Sequence, residues 1–139
     1  MPVSLTRTVE FSAHHRYFRP EWSEAENSRR FGACAEAPGH RHDYLCAVTV
    51  SGPVDHTTGM IMDLGDLDRI LNEEVVGPFG GRHLNLDVPA FGYGRVIPTG
   101  EEVASYLFAR ISARLPAGVM LERVRVQEDP TLYSDCTGV

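Results

Sequence analysis

Residues 39–50, with the sequence GHRHDYLCAVTV, carry the clearest secondary-structure signal in the chain. Apolar and β-branched side chains dominate from Tyr44 to Val50, which predicts a long strand that begins near Asp43. His40 and His42 enter this strand two residues apart, so their side chains lie on the same face of the extended chain. Two imidazoles on one face can bind a single metal ion.

A first strand is predicted from Val3 to Ala13, where β-branched residues occupy alternate positions. It ends at His14 and His15, two adjacent histidines of which only one can face the same side as the pair. A catalytic zinc site takes three protein ligands, and His15 is the natural third. Spacing alone does not decide between His15 and His14.

The segment between these strands, residues 19–39, is polar and predicts a long excursion with no more than a helical turn. After the second strand, residues 55–59 have the composition of a hairpin turn. The apolar stretch Met60–Met62 that follows predicts a short strand.

Two helices are predicted in the second half of the chain. Asp63 caps the first, which runs to about Val76 and is stopped by Gly77-Pro78. Residues 79–98 are rich in glycine and proline and predict a second long loop.

The second helix begins with a capping box formed by Thr99 and Glu102, spans 100–115 and ends at Pro116. Alternating apolar residues predict a third long strand over 122–128, and a fourth strand follows at 132–137.

The order ββααββ predicts an α+β fold, with a four-stranded antiparallel sheet that carries two helices on one face. A chain of 139 residues fits one domain, which we place at 1–139. The exposed sheet edges favour edge-to-edge assembly between subunits.

Composition excludes several classes of protein. The net charge is −6 and all 13 basic residues are arginines, so a nucleic-acid surface is not expected, and neither a lysine Schiff base nor a Walker lysine is available. No apolar run approaches the roughly 20 residues that cross a bilayer, and the N-terminus lacks signal-peptide features. We therefore expect a cytoplasmic protein without a membrane partner.

The three cysteines are scattered, so each is expected to be a free thiol. Cys46 lies in the apolar strand, where a packing role is expected. Cys34 lies in a loop six residues before His40. It can act as a base or nucleophile, serve as a fourth metal ligand, or have no role, and spacing leaves these alternatives open.

Several spaced motifs extend along almost the whole chain. They are FSAHHR at 11–16, FGACAEAPGHRHDY at 31–44, GMIMDL at 59–64, LN at 84–85, PT at 98–99 with Glu101, and VQE at 126–128. In this order they resemble the 6-pyruvoyl-tetrahydropterin synthases and the related 6-carboxytetrahydropterin synthases of queuosine biosynthesis.

The resemblance implies a tunnelling fold, in which trimers of antiparallel sheets form barrels and two trimers stack as a homo-hexamer. It implies a Zn²⁺ ion bound by His15, His40 and His42, which resolves the choice between His14 and His15. Cys34 matches the family's catalytic cysteine. Glu128 matches the glutamate that anchors the pterin ring, since a carboxylate can accept two parallel hydrogen bonds from an amino-pyrimidinone edge. Thr99 and Glu101, which belong to the matching motifs, are the further candidate substrate-binding residues.

The chain departs from the family pattern at three places. Where the family has an Asp-His pair that completes a proton relay with the cysteine, ungapped counting gives Gly80 and Gly81. His83, two residues further on, is the candidate replacement. Ala33 stands where a lysine is usual, and Arg41 stands where a glycine is usual, which predicts bulk beside the zinc.

Three functions are compatible with these residues. The favoured one is a zinc-dependent lyase that acts on dihydroneopterin triphosphate or a related reduced pterin. The second is a repurposed family member that makes or breaks a different carbon–carbon bond in natural-product biosynthesis, for example by a Pictet–Spengler-type condensation. The third is a catalytically silent hexamer that binds pterins.

Overall fold

A five-stranded mixed sheet forms the framework of the protein. The computed structural model describes residues 3–138, so the outermost residues of the predicted 1–139 domain lie outside the described part. The strands are β1 (Ser4–His15), β2 (His40–Ser51), β3 (Arg82–His83), β4 (Met120–Asp129) and β5 (Leu132–Cys136). Their order in the sheet is β3-β1-β2-β4-β5.

The fold is α+β as predicted, but the four-stranded antiparallel sheet is corrected to five strands. The pairs β1–β2, β2–β4 and β4–β5 are antiparallel, whereas the two-residue strand β3 pairs parallel to β1 at one edge. So short a strand has no periodicity to detect. It is placed by the backbone of Gly81, which has a φ of 69° and donates an N–H to the Ser12 carbonyl at 2.7 Å.

Five α-helical segments accompany the sheet. They are α1 (Glu24–Phe31), α2 (Leu64–Leu71), α3 (Gly77–Phe79), α4 (Leu84–Asp87) and α5 (Gly100–Ser112). Side-chain caps begin the three longer ones: Ser23, Asp63 and Thr99 each accept the backbone N–H three residues ahead, at 3.0–3.2 Å. Two of these caps were predicted, and the third begins a full helix inside the segment 19–39, which was predicted as a loop.

The helix that begins at Asp63 is longer than predicted. It continues from α2 through a π-helical turn at Asn72–Val76 and then through α3. Gly77-Pro78 does not stop it, because Pro78 falls in the first turn of α3, where its missing N–H has no partner to lose. The predicted end at 115 of the second helix is also corrected, since α5 ends at Ser112.

Two further local predictions are wrong. Met60–Met62 forms no strand, since Asp55 and Met60 are linked by a single loop hydrogen bond, from the Asp55 N–H to the Met60 carbonyl at 2.9 Å. The segment 79–98 contains β3, α4 and a 3-10 turn at Pro89–Phe91 in place of one long loop.

The core lies between one face of the sheet and the helices. Phe11 of β1 stacks on Tyr44 of β2 with ring centroids 4.8 Å apart, and it meets the edge of Phe79 at 5.6 Å. Leu67 of α2 and Leu107 of α5 are fully buried in the same cluster. On β1 the odd-numbered residues face this core and the even-numbered ones face outward. Within residues 3–138, no helix combines the length and apolar character that crossing a membrane requires.

Gly80, the residue after α3, gives a direct test of this packing. A Cβ added there would lie 2.7 Å from the Val76 carbonyl oxygen, so we expect Gly80→Ala to lower the free energy of unfolding by about 1–3 kcal/mol. Gly92→Ala is the matched control, because its Cβ would make ordinary contacts with the Pro89 oxygen at 3.4 Å and with Cδ of Arg95 at 3.9 Å. Urea denaturation measures both variants, and equal midpoints would contradict the described end of α3.

Candidate active site

Three histidines converge at the end of the sheet where β1 finishes and β2 starts. The antiparallel register pairs His15 with His40 and Ala13 with His42, so the three imidazoles occupy the core face of two neighbouring strands. One ring nitrogen of each histidine lies within 4.8 Å of the others. The ring centroids are 4.5–4.9 Å apart. This arrangement can hold a metal ion.

His15 is fixed by hydrogen bonds to its Nδ1 atom. Nδ1 lies 2.8 Å from the Pro98 carbonyl, which can only accept, so Nδ1 carries the proton. Nε2 then carries no proton and has a free lone pair. It lies 2.9 Å from Nε2 of His40. Burial lowers the pKa of His15 to about 3, so the ring is neutral near pH 7. A neutral imidazole held through its other nitrogen is the usual state of a metal ligand.

His14 and His83 lie on the opposite face of the sheet. They are paired in the β1–β3 register, and their rings are nearly parallel with centroids 6.3 Å apart. The Nε2 atom of His83 bonds the Pro38 carbonyl at 2.6 Å. Within one chain, His83 is therefore not directed at the three histidines, and its contact holds the turn that leads from Cys34 to His40.

Cys34 lies in a 3-10 turn, Gly32–Ala35, just after α1. A cleft of about 340 Å³ opens beside it and also borders His40. Burial, followed by the negative charge of Glu128, raises the pKa of the Cys34 thiol. The Cys34 thiol therefore lies beside His40 and close enough to Glu128 for the carboxylate charge to act on it.

Glu128, near the end of β4, is only 6% exposed, and its Oε1 atom has no hydrogen-bond partner among the described residues. Burial and the charge of Glu101 raise its pKa, while the Gly100 N–H and the Tyr17 hydroxyl oppose that rise. Thr99 caps α5, and the first residue of that helix lies against the carboxylate, since a Cβ at Gly100 would be 3.1 Å from Oε1 of Glu128. A buried acceptor without a donor is costly unless a ligand supplies the missing N–H groups.

The glycines at the relay positions provide no side chain to this site. Gly80 has no room for a Cβ, and Gly81 has a positive φ. The other departures matter less. Ala33 is exposed, and Arg41 faces away from the histidines and bonds Asp43 at 2.8 Å, so the predicted bulk beside the metal site is not found.

Three groups at the site were not predicted. The Tyr44 hydroxyl lies 3.1 Å from Nδ1 of His15, the Pro98 carbonyl fixes the same ring, and Tyr17 packs against it with centroids 4.9 Å apart. Tyr44 follows His42 by two residues in β2, so the two side chains lie on the same face of the strand, and the sequence alone could have indicated this contact. Neither spacing nor residue type points to the other two.

Fold and site together define a class of α+β proteins that carry three histidines at one end of a mixed sheet, beside a buried carboxylate. The family model described as 6-pyruvoyl tetrahydropterin synthase matches residues 4–138. The chain belongs to this family.

Individual relatives agree with this assignment. The chain is 40% identical to the 6-pyruvoyl tetrahydrobiopterin synthase of Homo sapiens over 126 residues, which cover 91% of this chain and 85% of that protein. An Archaeoglobus fulgidus protein, provisionally named 6-carboxy-5,6,7,8-tetrahydropterin synthase, is 32% identical over 115 residues, covering 78% and 90%. The structure of Caenorhabditis elegans 6-pyruvoyl tetrahydropterin synthase superposes with a TM-score of 0.91 at 32% identity, covering 100% of this chain and 97% of that one.

The pH dependence of Cys34 tests the electrostatics of the site. In metal-free protein, we expect alkylation of Cys34 by iodoacetamide to have a midpoint above the ordinary value of 9.0, because burial and Glu128 raise the thiol pKa. Glu128→Gln removes the negative charge and should lower the midpoint. Peptide mass spectrometry separates Cys34 from buried Cys46, whose pKa is raised to about 12 by burial. A midpoint unmoved by Glu128→Gln would contradict the described proximity.

Proposed function

We propose that this protein is a zinc-dependent lyase that acts on dihydroneopterin triphosphate or a related reduced pterin. The observation that carries the proposal is the unpartnered, buried Oε1 of Glu128, close enough to Cys34 and to the Tyr44 hydroxyl for its charge to act on both. Tyr44 in turn contacts His15, so the carboxylate and the three histidines border one site. The names of the relatives support a pterin as the ligand.

The zinc ligands in this proposal are His15, His40 and His42. Three neutral imidazole nitrogens leave one coordination position open, as in catalytic zinc sites. Zinc bound there would polarise hydroxyl or carbonyl oxygens of a substrate side chain and so ease proton removal at the neighbouring carbon. The protein's own contribution is burial, which keeps His15 neutral, together with the Pro98 carbonyl and the Tyr44 hydroxyl, which orient its ring.

Glu128 is proposed to anchor the heterocycle. Its two oxygens can accept a pair of parallel N–H groups, such as those along the amino-pyrimidinone edge of a pterin. Gly100, the first residue of α5 after its Thr99 cap, already lies close to the carboxylate. Glu101, whose oxygen lies 3.4 Å from the Ser134 hydroxyl, borders the same end of the sheet and is proposed as a further substrate contact.

Cys34 is proposed to hold or move the proton. Its thiol borders the cleft next to His40, and no side chain at Gly80 or Gly81 is present to relay a proton to it. His83 is assigned an indirect role, because within one chain it bonds Pro38 and faces the other side of the sheet.

The absence of side chains at Gly80 and Gly81 favours one alternative function. A condensation of Pictet–Spengler type needs an acid and a base but no Cys-Asp-His relay. The open space around the Cβ position of Gly81 also admits a bulkier substrate than a family member with a histidine there. A repurposed enzyme that joins an amine-bearing heterocycle to a carbonyl compound is therefore the second candidate.

We further propose that the chain assembles as a homo-hexamer, a dimer of trimers. Strand β3 covers only the last residues of β1, so most of that edge is unpaired within the described chain. At the opposite edge, Leu132 and Tyr133 of β5 are each 51% exposed. Edges of this kind favour pairing between subunits.

Zinc analysis tests the metal site. Protein purified without chelator should contain one zinc per chain, and alanine at His15, His40 or His42 should remove it, because two ligands rarely suffice. His14→Ala is the matched control, since His14 is adjacent in sequence but faces the other side of the sheet, and it should keep the metal. Full zinc in His42→Ala would refute the ligand set.

Turnover of dihydroneopterin triphosphate tests the reaction. We expect the zinc protein to be about 10²- to 10⁴-fold slower than the C. elegans relative, because a positioned acid or base typically supplies that factor. Cys34→Ala should abolish the remaining turnover, whereas His83→Ala should retain most of it. A rate equal to that of the relative would show that this protein does not need the Asp-His pair that Gly80 and Gly81 replace. Pterin binding without any turnover would favour the silent hexamer.

Light scattering tests the assembly. Six chains of 15.4 kDa give a particle of about 92 kDa, which we expect at micromolar concentration because pairing covers both sheet edges. A particle with the mass of a single chain would contradict the proposal.

A further inference from the structure

The turn that carries Cys34, residues 32–39, has little packing to hold it in place. Among the described residues, the apolar core cluster takes no member from 16–39, and within the turn only Ala35 is buried. Two open spaces border the turn. A cavity of about 250 Å³ is lined by Ala35 and Arg16, and the cleft of about 340 Å³ is lined by Cys34 and His40. The position of the thiol therefore depends on the groups that bind the carbonyl oxygens of the turn.

Arg16 binds this turn next to the thiol. Its Nε atom donates a hydrogen bond to the Ala35 carbonyl at 2.8 Å, one residue beyond Cys34. The next backbone N–H in the chain, that of Tyr17, donates to the Cys34 carbonyl at 2.9 Å. Arg16 also follows His15 directly. One short segment therefore carries a proposed zinc ligand and holds the turn that carries the thiol.

Arg16 is itself held at its backbone and at its side chain. Asn85, only 6% exposed, accepts the backbone N–H of Arg16 at 2.8 Å and donates to its backbone carbonyl at 3.0 Å. The guanidinium group lies over the Phe18 ring, 3.9 Å from the ring centroid. A planar cation supported on an aromatic face loses little further freedom when it forms a hydrogen bond. The donor to Ala35 is therefore fixed in advance.

We propose that Arg16 is a positioning residue for the Cys34 thiol. Its Nε–H group holds the Ala35 carbonyl and so keeps the thiol half-buried in the cleft beside His40. The inference rests on the proposed function only in giving Cys34 a proton to hold or move. It gives a role to Arg16 and Asn85, which belong to the motifs at 11–16 and 84–85 and have no other part in the proposed site.

Three variants separate the parts of this contact. Arg16→Met keeps a chain of similar length but has no donor for the Ala35 carbonyl. Arg16→Gln keeps an N–H group on the atom next to Cδ, where Nε stands, and removes the charge. Phe18→Leu leaves the donor in place and removes only the aromatic support under the guanidinium group.

The pH profile of Cys34 alkylation by iodoacetamide, in metal-free protein, tests this inference without any substrate. Burial raises the pKa of the thiol, so a turn released by Arg16→Met should expose it and lower the midpoint toward the ordinary value of 9.0. Phe18→Leu should lower the midpoint by less, and Arg16→Gln should lie closest to the wild type. Arg95→Met is the matched control, because Arg95 is exposed and makes no hydrogen bond to the turn among the described residues. Its profile should equal that of the wild type.

Turnover of dihydroneopterin triphosphate by the zinc protein gives a second readout. Misplacing a reacting group by about 1 Å can lower a rate about 10²-fold. We therefore expect Arg16→Met to lower kcat by about 10- to 10²-fold and to leave KM within about twofold, since Arg16 holds the thiol and not the substrate.

The outcomes separate this inference from the function on which it rests. An alkylation midpoint that is unchanged in Arg16→Met, or in Phe18→Leu if Arg16→Met does not fold, would overturn the inference. A midpoint that rises would also overturn it, because Arg16 would then act through its positive charge on the thiolate. Equal profiles of Arg16→Gln and Arg16→Met would show that the donor to Ala35 is not what matters. No turnover by the wild type would overturn the proposed function, while the alkylation profiles still decide whether Arg16 positions the thiol.

Discussion

The backbone pairing of β1 with β2 is the constraint on which the site depends. Side chains alternate between the faces of a strand, so a slip of one residue would move His15 to the outer face and separate it from His40 and His42. The register is fixed where the strands meet, because Gly39, with a φ of 116°, packs directly against the His15 carbonyl. A side chain at Gly39 would collide with that backbone.

Polar groups inside the core make this arrangement costly. His15 is fully buried and Glu128 nearly so, at the end of a cluster that is otherwise apolar. The protein satisfies His15 with a carbonyl and a hydroxyl, but it leaves Oε1 of Glu128 without a donor. Such an orphaned acceptor lowers stability. In the proposed function, a ligand supplies the missing hydrogen bonds and so offsets this cost.

The sequence predicts the long strands and the starts of the helices capped by Asp63 and Thr99 well, because periodicity and capping residues act locally, but it misses α1, which Ser23 caps. It fails where distant contacts decide. The two residues of β3 form a strand only because Gly81 docks on Ser12 of β1. The helix passes Pro78 because that residue falls in the first turn of α3. At the site, the histidines and Glu128 can be predicted from motifs, whereas the hydrogen bond from Nδ1 of His15 to the Pro98 carbonyl joins residues 83 positions apart and leaves no local pattern.

We propose above all that one recess holds a metal ion on three histidines and a flat heterocycle on Glu128. A crystal structure of the zinc protein soaked with biopterin, with anomalous data at the zinc edge, tests both halves at once. We expect one anomalous peak bonded to His15, His40 and His42 at about 2.0–2.1 Å, with the amino-pyrimidinone edge paired to Glu128. A peak at other residues, or a ring bound away from Glu128, would contradict it.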